Sequence, residues 1–362
     1  MPTFVFYLLT LAVFGAIYGT LAMGLNIQWG YTGILDFMYI AFVAVGGYVT
    51  SLLMMPPALP GSGFQYVLGL NWPFIPALLV GGLASALLAL IVGLLALNRL
   101  RSDYFAIVTV AVSLVLYTIA GNNTPLVNGW DGISGIPQPF QDVLNVDYGT
   151  YQFFFLGLCV VILIIVYIFS ERLYHAPFGR ALRSVREDEM VAQGLGKNVF
   201  ALRLKAFVIG AFIAGIGGSL LVIYVDAFNP SAWTTSETFF LWAALLLGGS
   251  ANNRGAMLGA LIVPVLFAEI TRFLPSFGSP RLVDSFRYIA IGVLLILTVR
   301  FRPQGILAEK RFRIRKSKLL QLEPVLAGTS PGVRIRDADL EDNPGTLADS
   351  TASVQDEERK TL

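Results

Sequence analysis

Uncharged apolar runs of about 20 residues recur along most of this chain, and that length matches the hydrocarbon core of a bilayer. The run Leu156–Phe169, LGLCVVILIIVYIF, shows what such a segment excludes. A helix on the surface of a soluble core carries an apolar stripe and a polar face; this run has no polar face. With 56% of residues hydrophobic and 13% charged, the 362 residues do not divide into soluble domains. They predict an all-α, polytopic helical membrane protein with about nine transmembrane spans (about eight to ten, given the boundary tolerance). The spans are expected near 3–25, 33–55, 73–96, 104–121, 151–170, 203–225, 237–249, 255–273 and 285–301. The seventh is short and ends at Gly248-Gly249, which leaves it open to being re-entrant or broken. The first residues lack the basic region and small-residue cleavage site of a signal peptide and read as a retained first span.

Orientation follows from the placement of Lys and Arg. Eighteen lie in the loops after spans three, five, seven and nine, whereas the loops at 56–72, 122–150 and 226–236 have none. The expected topology therefore has the N-terminus outside and the C-terminus in the cytoplasm. Arg272, Arg281 and Arg287 dissent from it. From Glu323 to Leu362 nine acids face four bases, a composition with too little apolar area to offset chain entropy. The chain thus reads as a transmembrane domain over 1–307, containing a charged cytoplasmic loop at 172–203, and a cytoplasmic tail over 308–362. The tail is basic and then acidic, and expected to be disordered from about residue 320. It is either a docking element or a solvated extension.

Catalytic signatures are missing. Gly196-Lys197 is followed by Asn198 and has no glycine at position 191, so the phosphate cradle of a P-loop is not formed. One histidine, His175, and one cysteine, Cys159, supply neither a metal centre nor a thiol nucleophile constellation. The chain reads as no enzyme; any energised work draws on another chain or an ion gradient. Gly-Gly pairs at 46–47, 81–82, 217–218 and 248–249, with the spacings Gly255-x-x-x-Gly259 and Ala214-x-x-x-Gly218, suit close helix approach in lipid, or less simply a pore lined by backbone.

The stretch Ala176–Asn198 places seven charged side chains in 23 residues between two apolar runs. On a helix, Phe178, Leu182, Val185, Ala192 and Leu195 fall at three- and four-residue spacing, interrupted by Glu189. Pro177 suits a first helical turn, and Gly194 and Gly196 suit its end. Two readings follow: a solvated positive-inside loop, or an amphipathic helix whose stripe docks in a partner's groove.

FGRALRSVREDEMVAQGLGKNV resembles the cytoplasmic loop of LivM-type permeases, the membrane subunits of branched-chain and neutral amino acid ABC importers. In that family an E-A-A-x-x-x-G element forms the coupling helix that seats in the ATPase. The final glycine falls on Gly196 and the second alanine on Ala192; Val191 and Met190 replace the first alanine and the glutamate. Glu189, one position earlier, is rotated by roughly 100° about a helix axis. GYTGILDFMYIAFVAVGGY (30–48), NGWDGISGIP (128–137), LLLGGSANNRGAMLGA (245–260) and FRPQGIL (301–307) are similar to further segments of the family, with Asp36 where a serine is usual. The resemblance implies a multi-pass protein of the bacterial inner membrane that translocates branched-chain or other neutral amino acids by alternating access. It implies a homologous permease subunit, two cytoplasmic ATPase subunits that bind ATP and Mg, and a periplasmic solute-binding protein, with no cofactor in this chain and no nucleic-acid partner. Similar permeases handle urea or short amides. Arg183, Arg186, Glu189, Ala192 and Gly196 are the coupling candidates.

Charges at membrane depth default to function. Asp36 could line the path or cap its helix; Glu269 could line the path or pair with Arg272. Asn128, Trp130 and Asp131, among glycines of an outer loop, could meet a delivered substrate or simply form a tight turn. Asp36 and Glu269 would be the coupling carboxylates of the rival reading, an ion-driven secondary transporter.

Overall fold

A helix without a polar face either packs around its circumference or faces lipid, and the computed structural model shows both outcomes. It describes residues 3–57, 66–141, 148–267, 280–302 and 304–309. Glu269, Arg272 and the tail from residue 310 lie outside the described residues.

The chain runs through α1 (Thr3–Leu25, continued by a π turn Asn26–Gly30), α2 (Tyr39–Met54), α3 (Phe74–Val92, with a π turn Gly93–Leu97) and α4 (Ser102–Asn122). A short α5 (Thr124–Val127) and the two-residue strand β1 (Ile133–Ser134) precede α6 (Tyr148–His175). Then come α7 (Pro177–Glu187), α8 (Glu189–Gly194), α9 (Val199–Val225), β2 (Ala227–Phe228), α10 (Thr235–Gly248), α11 (Asn253–Ala260, with a π segment Leu261–Phe267) and α12 (Pro280–Phe301). Among the described residues, five helices are long and apolar enough to cross a membrane, those at Phe4–Gly30, Phe74–Leu97, Ser102–Asn122, Gly149–His175 and Val199–Val225. Of the other expected spans, the second is shorter, a 16-residue helix, and the ninth falls within the 22-residue α12. The seventh is 14 residues long, and the eighth changes to π geometry around Pro264, which lacks the amide a continuous helix needs.

The core sits where α2, α3 and α9 meet, with α1 and α6 packed behind. The apolar stretch of α9 is 72% buried, against 22% for α6 and 28% for α4; leucines such as Leu87 and Leu95 on α3 and Ile107 on α4 stay exposed, as suits a lipid-facing wall. Three of the four Gly-Gly pairs make the α2–α3–α9 contacts. A methyl group at Gly46 would enter the backbone of Gly215, and one at Gly218 the carbonyl of Val43. The fourth pair, with Gly255 and Gly259, lets α10 and α11 touch backbone to backbone. Packing therefore explains the small residues. Hydroxyls add cross-helix bonds: Thr50 and Ser219 lie 2.6 Å apart, and Ser85 donates to the Phe42 carbonyl at 2.7 Å.

The second span departs from expectation. Instead of a helix from residue 33, the backbone between Tyr31 and Met38 is non-helical, turned at Gly33 with φ +72°, and α2 begins only at Tyr39. Neighbours satisfy the exposed peptide groups. Phe37 N–H donates to Thr109 of α4 at 3.1 Å, Ile40 N–H to Thr238 of α10 at 3.3 Å, and Trp242 Nε1 to the Asp36 carbonyl at 2.9 Å.

Candidate functional site

Two regions collect the sequence candidates. The first is the charged loop, which forms two helices and not one. Pro177 starts α7 at its first turn. The break falls at Asp188, extended at φ −153° and ψ 112°, whose carboxylate caps α8 by accepting the Val191 amide at 3.0 Å; an aspartate competes well as an N-cap and poorly as a mid-helix residue. Gly196 ends the pair with φ +74°, a conformation costly for any other residue type.

The break turns the stripe. Leu182, Val185 and Ala192 are buried, and Ala192 packs with Val185 and Val199 of the permease body. This corrects the expected geometry: Ala192 supports α8 from beneath and does not face outward. The outward face carries Met190, Val191 and Leu195, 80%, 58% and 71% exposed. The charged candidates also turn inward. The Arg183 guanidinium lies 4.0 Å over the Tyr174 ring. Arg186 donates to the Gly30 carbonyl and pairs with Glu309 at 2.7 Å, whose other oxygen accepts from Tyr174 at 3.3 Å. Glu189 pairs with Arg203 at 3.1 Å, and Arg203 also donates to Ser102 at 3.2 Å. Three arginines thus fasten α7–α8 to α1, α6, α9, the start of α4 and the segment after α12, so that an apolar face is presented on a rigid mount.

Sequence reasoning missed the polar network above this mount. Asn253 Oδ1 accepts from Tyr31 at 2.6 Å and from Asn26 at 3.0 Å, and its amide donates to Glu171 at 2.8 Å. Glu171 in turn meets His175 at 3.3 Å. These buried amides resemble ordinary polar residues at span ends, and nothing local in the sequence marks their meeting.

The second region is the path candidates. Asp36 is buried; one oxygen accepts the Met38 amide at 2.9 Å, as a cap for α2 would, and the other has no hydrogen-bond partner among the described residues. Beside it an aromatic ladder runs Trp29–Trp242–Phe37–Phe239, with centroids 5.1 to 5.4 Å apart. Asn128 is buried in a left-handed turn and donates to the Gly132 carbonyl at 2.7 Å. Trp130 lies half exposed over Gly121, 5.3 Å from the Tyr117 ring, and Asp131 is exposed. This loop is tied to the end of α9 by the β1–β2 ladder, Ile133 opposite Phe228. Phe37 meets α4 at Thr109 and Trp130 meets it at Tyr117, eight residues or about 12 Å further along the helix, so Asp36 and the loop are not one site.

The model of the family described as branched-chain amino acid transport system, permease component, matches residues 7–299. The chain belongs to this family. The permease is 31% identical to the probable branched-chain amino acid transport permease protein LivM of Methanocaldococcus jannaschii, over 81% of its own length and 91% of the relative's. It is 30% identical to the high-affinity LivM of Salmonella typhimurium, over 84% and 71%. To the LivH permease protein of M. jannaschii it is 27% identical, over 79% and 87%. No solved structure matches. With its apolar spans, the permease is a multi-pass protein of the inner membrane and the membrane subunit of an ABC amino acid importer.

Proposed function

We propose that this permease passes branched-chain or other neutral, hydrophobic amino acids inward by alternating access, paired with a homologous permease subunit. Two cytoplasmic ATPase subunits drive it, and a periplasmic binding protein delivers the solute at the outer loop. The likeness to relatives named LivM and also to relatives named LivH supports a pair of related permease chains. The basic loops support a cytoplasmic position for α7–α8.

The observation that carries the coupling role is the pairing of an exposed apolar face with a mount fastened to the permease body by Arg183, Arg186 and Arg203. Among the described residues, nothing covers Met190, Val191 and Leu195, while Ala192 and the three arginines hold the helix from behind. A face free to reorient would absorb an ATPase movement; a fastened one passes it to α1, α6 and α9. Asp36 and the aromatic ladder beside it suit a zwitterion with an apolar side chain, its ammonium group toward the carboxylate.

The test is co-purification of the ATPase with Met190→Asp/Leu195→Asp. Burying each side chain contributes about 1.5–3 kcal/mol, so the pair should lose most ATPase binding and uptake while remaining inserted in the membrane. Retained binding and uptake would refute the assignment of this face.

A further inference from the structure

Behind the coupling helix, opposite its exposed face, lies a cleft of about 700 Å³. Its walls are the 97–103 turn between α3 and α4, the outer edge of α8, and the first turn of α9. Four cations line it, Arg99, Arg101, Lys197 and Arg203, against two carboxylates, Asp103 and Glu189. One of the two carboxylates is already neutralised by Arg203. The cleft therefore keeps an excess of positive charge.

We infer that this cleft is a binding site for the headgroup of an anionic phospholipid. Three observations beyond the charge point to that ligand. First, Arg203 is more than nine-tenths buried, and its Nε has no hydrogen-bond partner among the described residues; a desolvated donor of this kind is costly unless an acceptor reaches it. Second, α4 begins in the cleft with Arg101 as its first flanking residue and no side-chain cap, so its leading amides are donors suited to a phosphate oxygen. Third, the surface that continues from the cleft along α3 and α4 is apolar and open: Leu94 is 52% exposed, Leu95 68%, Tyr104 59% and Ile107 66%. A cleft that takes a phosphate from water or a nucleotide gains nothing from an apolar runway, whereas a lipid needs both, its headgroup among cations and its acyl chains along leucines. The position also fits, because the cleft lies at the ends of three membrane-crossing helices, the level at which headgroups sit.

The consequence concerns the mount described above. Glu189 and Gln193 of α8 form one wall and Arg99 and Arg101 the other. A bound headgroup would bridge the coupling helix to the α3–α4 turn, to which Arg203 links it through Glu189 and Ser102. Lipid composition then sets how firmly α8 is held.

The experiment uses the full chain with its partner subunits, extracted from the membrane and examined by native mass spectrometry and by lipid extraction. The wild-type complex should carry phosphatidylglycerol in excess over phosphatidylethanolamine. Arg99→Gln/Arg101→Gln changes two exposed side chains, and the fold should survive it. It should lower that enrichment roughly 30-fold, the equivalent of two surface cations' attraction to an anionic headgroup, and Arg99→Lys/Arg101→Lys should restore most of it. Transport in phosphatidylcholine vesicles should rise on adding phosphatidylglycerol in the wild type and not in the glutamine variant. Retention of lipid unchanged by the glutamine substitutions would overturn the site. So would displacement by millimolar inorganic phosphate with no lipid retained, which would make it a phosphate site. Cross-linking of a cysteine at position 101 to the ATPase subunit would assign the cleft to that partner and equally overturn the lipid.

Discussion

Removing Arg186 should loosen α7–α8 by an amount that the structure lets one work out. Its guanidinium makes two connections, one to the Gly30 carbonyl and one to Glu309. Hydrogen bonds to charged groups contribute about 1.5–3 kcal/mol when shielded, but the two side chains are 24% and 27% exposed, so solvent screening reduces the ion pair toward about 1 kcal/mol. The Gly30 bond adds a similar amount. Arg186→Met should therefore cost about 2 kcal/mol and Glu309→Gln about 1, while the double variant should cost little more than Arg186→Met alone, because the shared bond is lost only once. Hydrogen–deuterium exchange of the assembled complex provides the assay. The amides of Ala192 and Lys197 are protected by bonds to Asp188 and Ala192, and they exchange when the loop opens. A loss of 2 kcal/mol raises the open population about 30-fold, and exchange should accelerate accordingly, without change in the amides of α9 near Gly215. Additive effects of the two single substitutions would show that Arg186 and Glu309 act separately. Unchanged exchange in Arg186→Met would refute the fastening altogether.

Other perturbations probe the rest of the structure. Gly46→Leu should abolish folded permease in the membrane, since a side chain there enters the Gly215 backbone and overpacking costs about 1–3 kcal/mol even where neighbours can yield; normal yield and thermal stability would contradict the α2–α9 contact. Asp36→Asn retains an acceptor for the Met38 amide and should leave assembly intact while lowering uptake about tenfold, the loss of one ammonium–carboxylate contact of about 1.4 kcal/mol; full uptake would reduce Asp36 to a helix cap. Cysteine at Asp131 should react with an impermeant thiol reagent from outside and cysteine at Leu195 from the cytoplasm only, against a low background because Cys159 is buried; the reverse pattern would invert the proposed orientation. Deleting residues 325–362 should leave uptake largely intact, as expected of a segment beyond the 7–299 family match; loss of the assembled complex would make it a docking element.

The helices of this chain were legible because bilayer solvation writes itself into composition: a run such as Leu156–Phe169 has no other stable use. The borders of the charged loop were legible too, since Pro177 and Gly196 have backbone preferences that hold without tertiary context. The turn at Asp188 was not. Helical periodicity carries through it, and only the competition between a capping carboxylate and one more helical residue decides that the stripe divides and Ala192 points inward. Nor could the sequence foretell which charges would be spent inside the protein. Arg186 finds Glu309 123 positions away, and positive-inside statistics count Arg186 as a loop charge and take no account of Glu309. The family resemblance pointed to the segment at 176–198, and within it Arg186 and Glu189, read as contact residues, are side chains that the structure uses as fasteners.

The unwound stretch before α2 has a mechanical meaning. Within hydrocarbon a peptide group that loses its partner costs several kcal/mol, and three groups of this stretch draw their partners from two other helices: Phe37 N–H from Thr109 of α4, and Ile40 N–H and the Asp36 carbonyl from Thr238 and Trp242 of α10. Neither helix can slide past this stretch alone without stranding an amide or a carbonyl. The segment therefore ties α4, α10 and the foot of α2 to one another, and a displacement of any one of them against the others breaks at least one of these bonds.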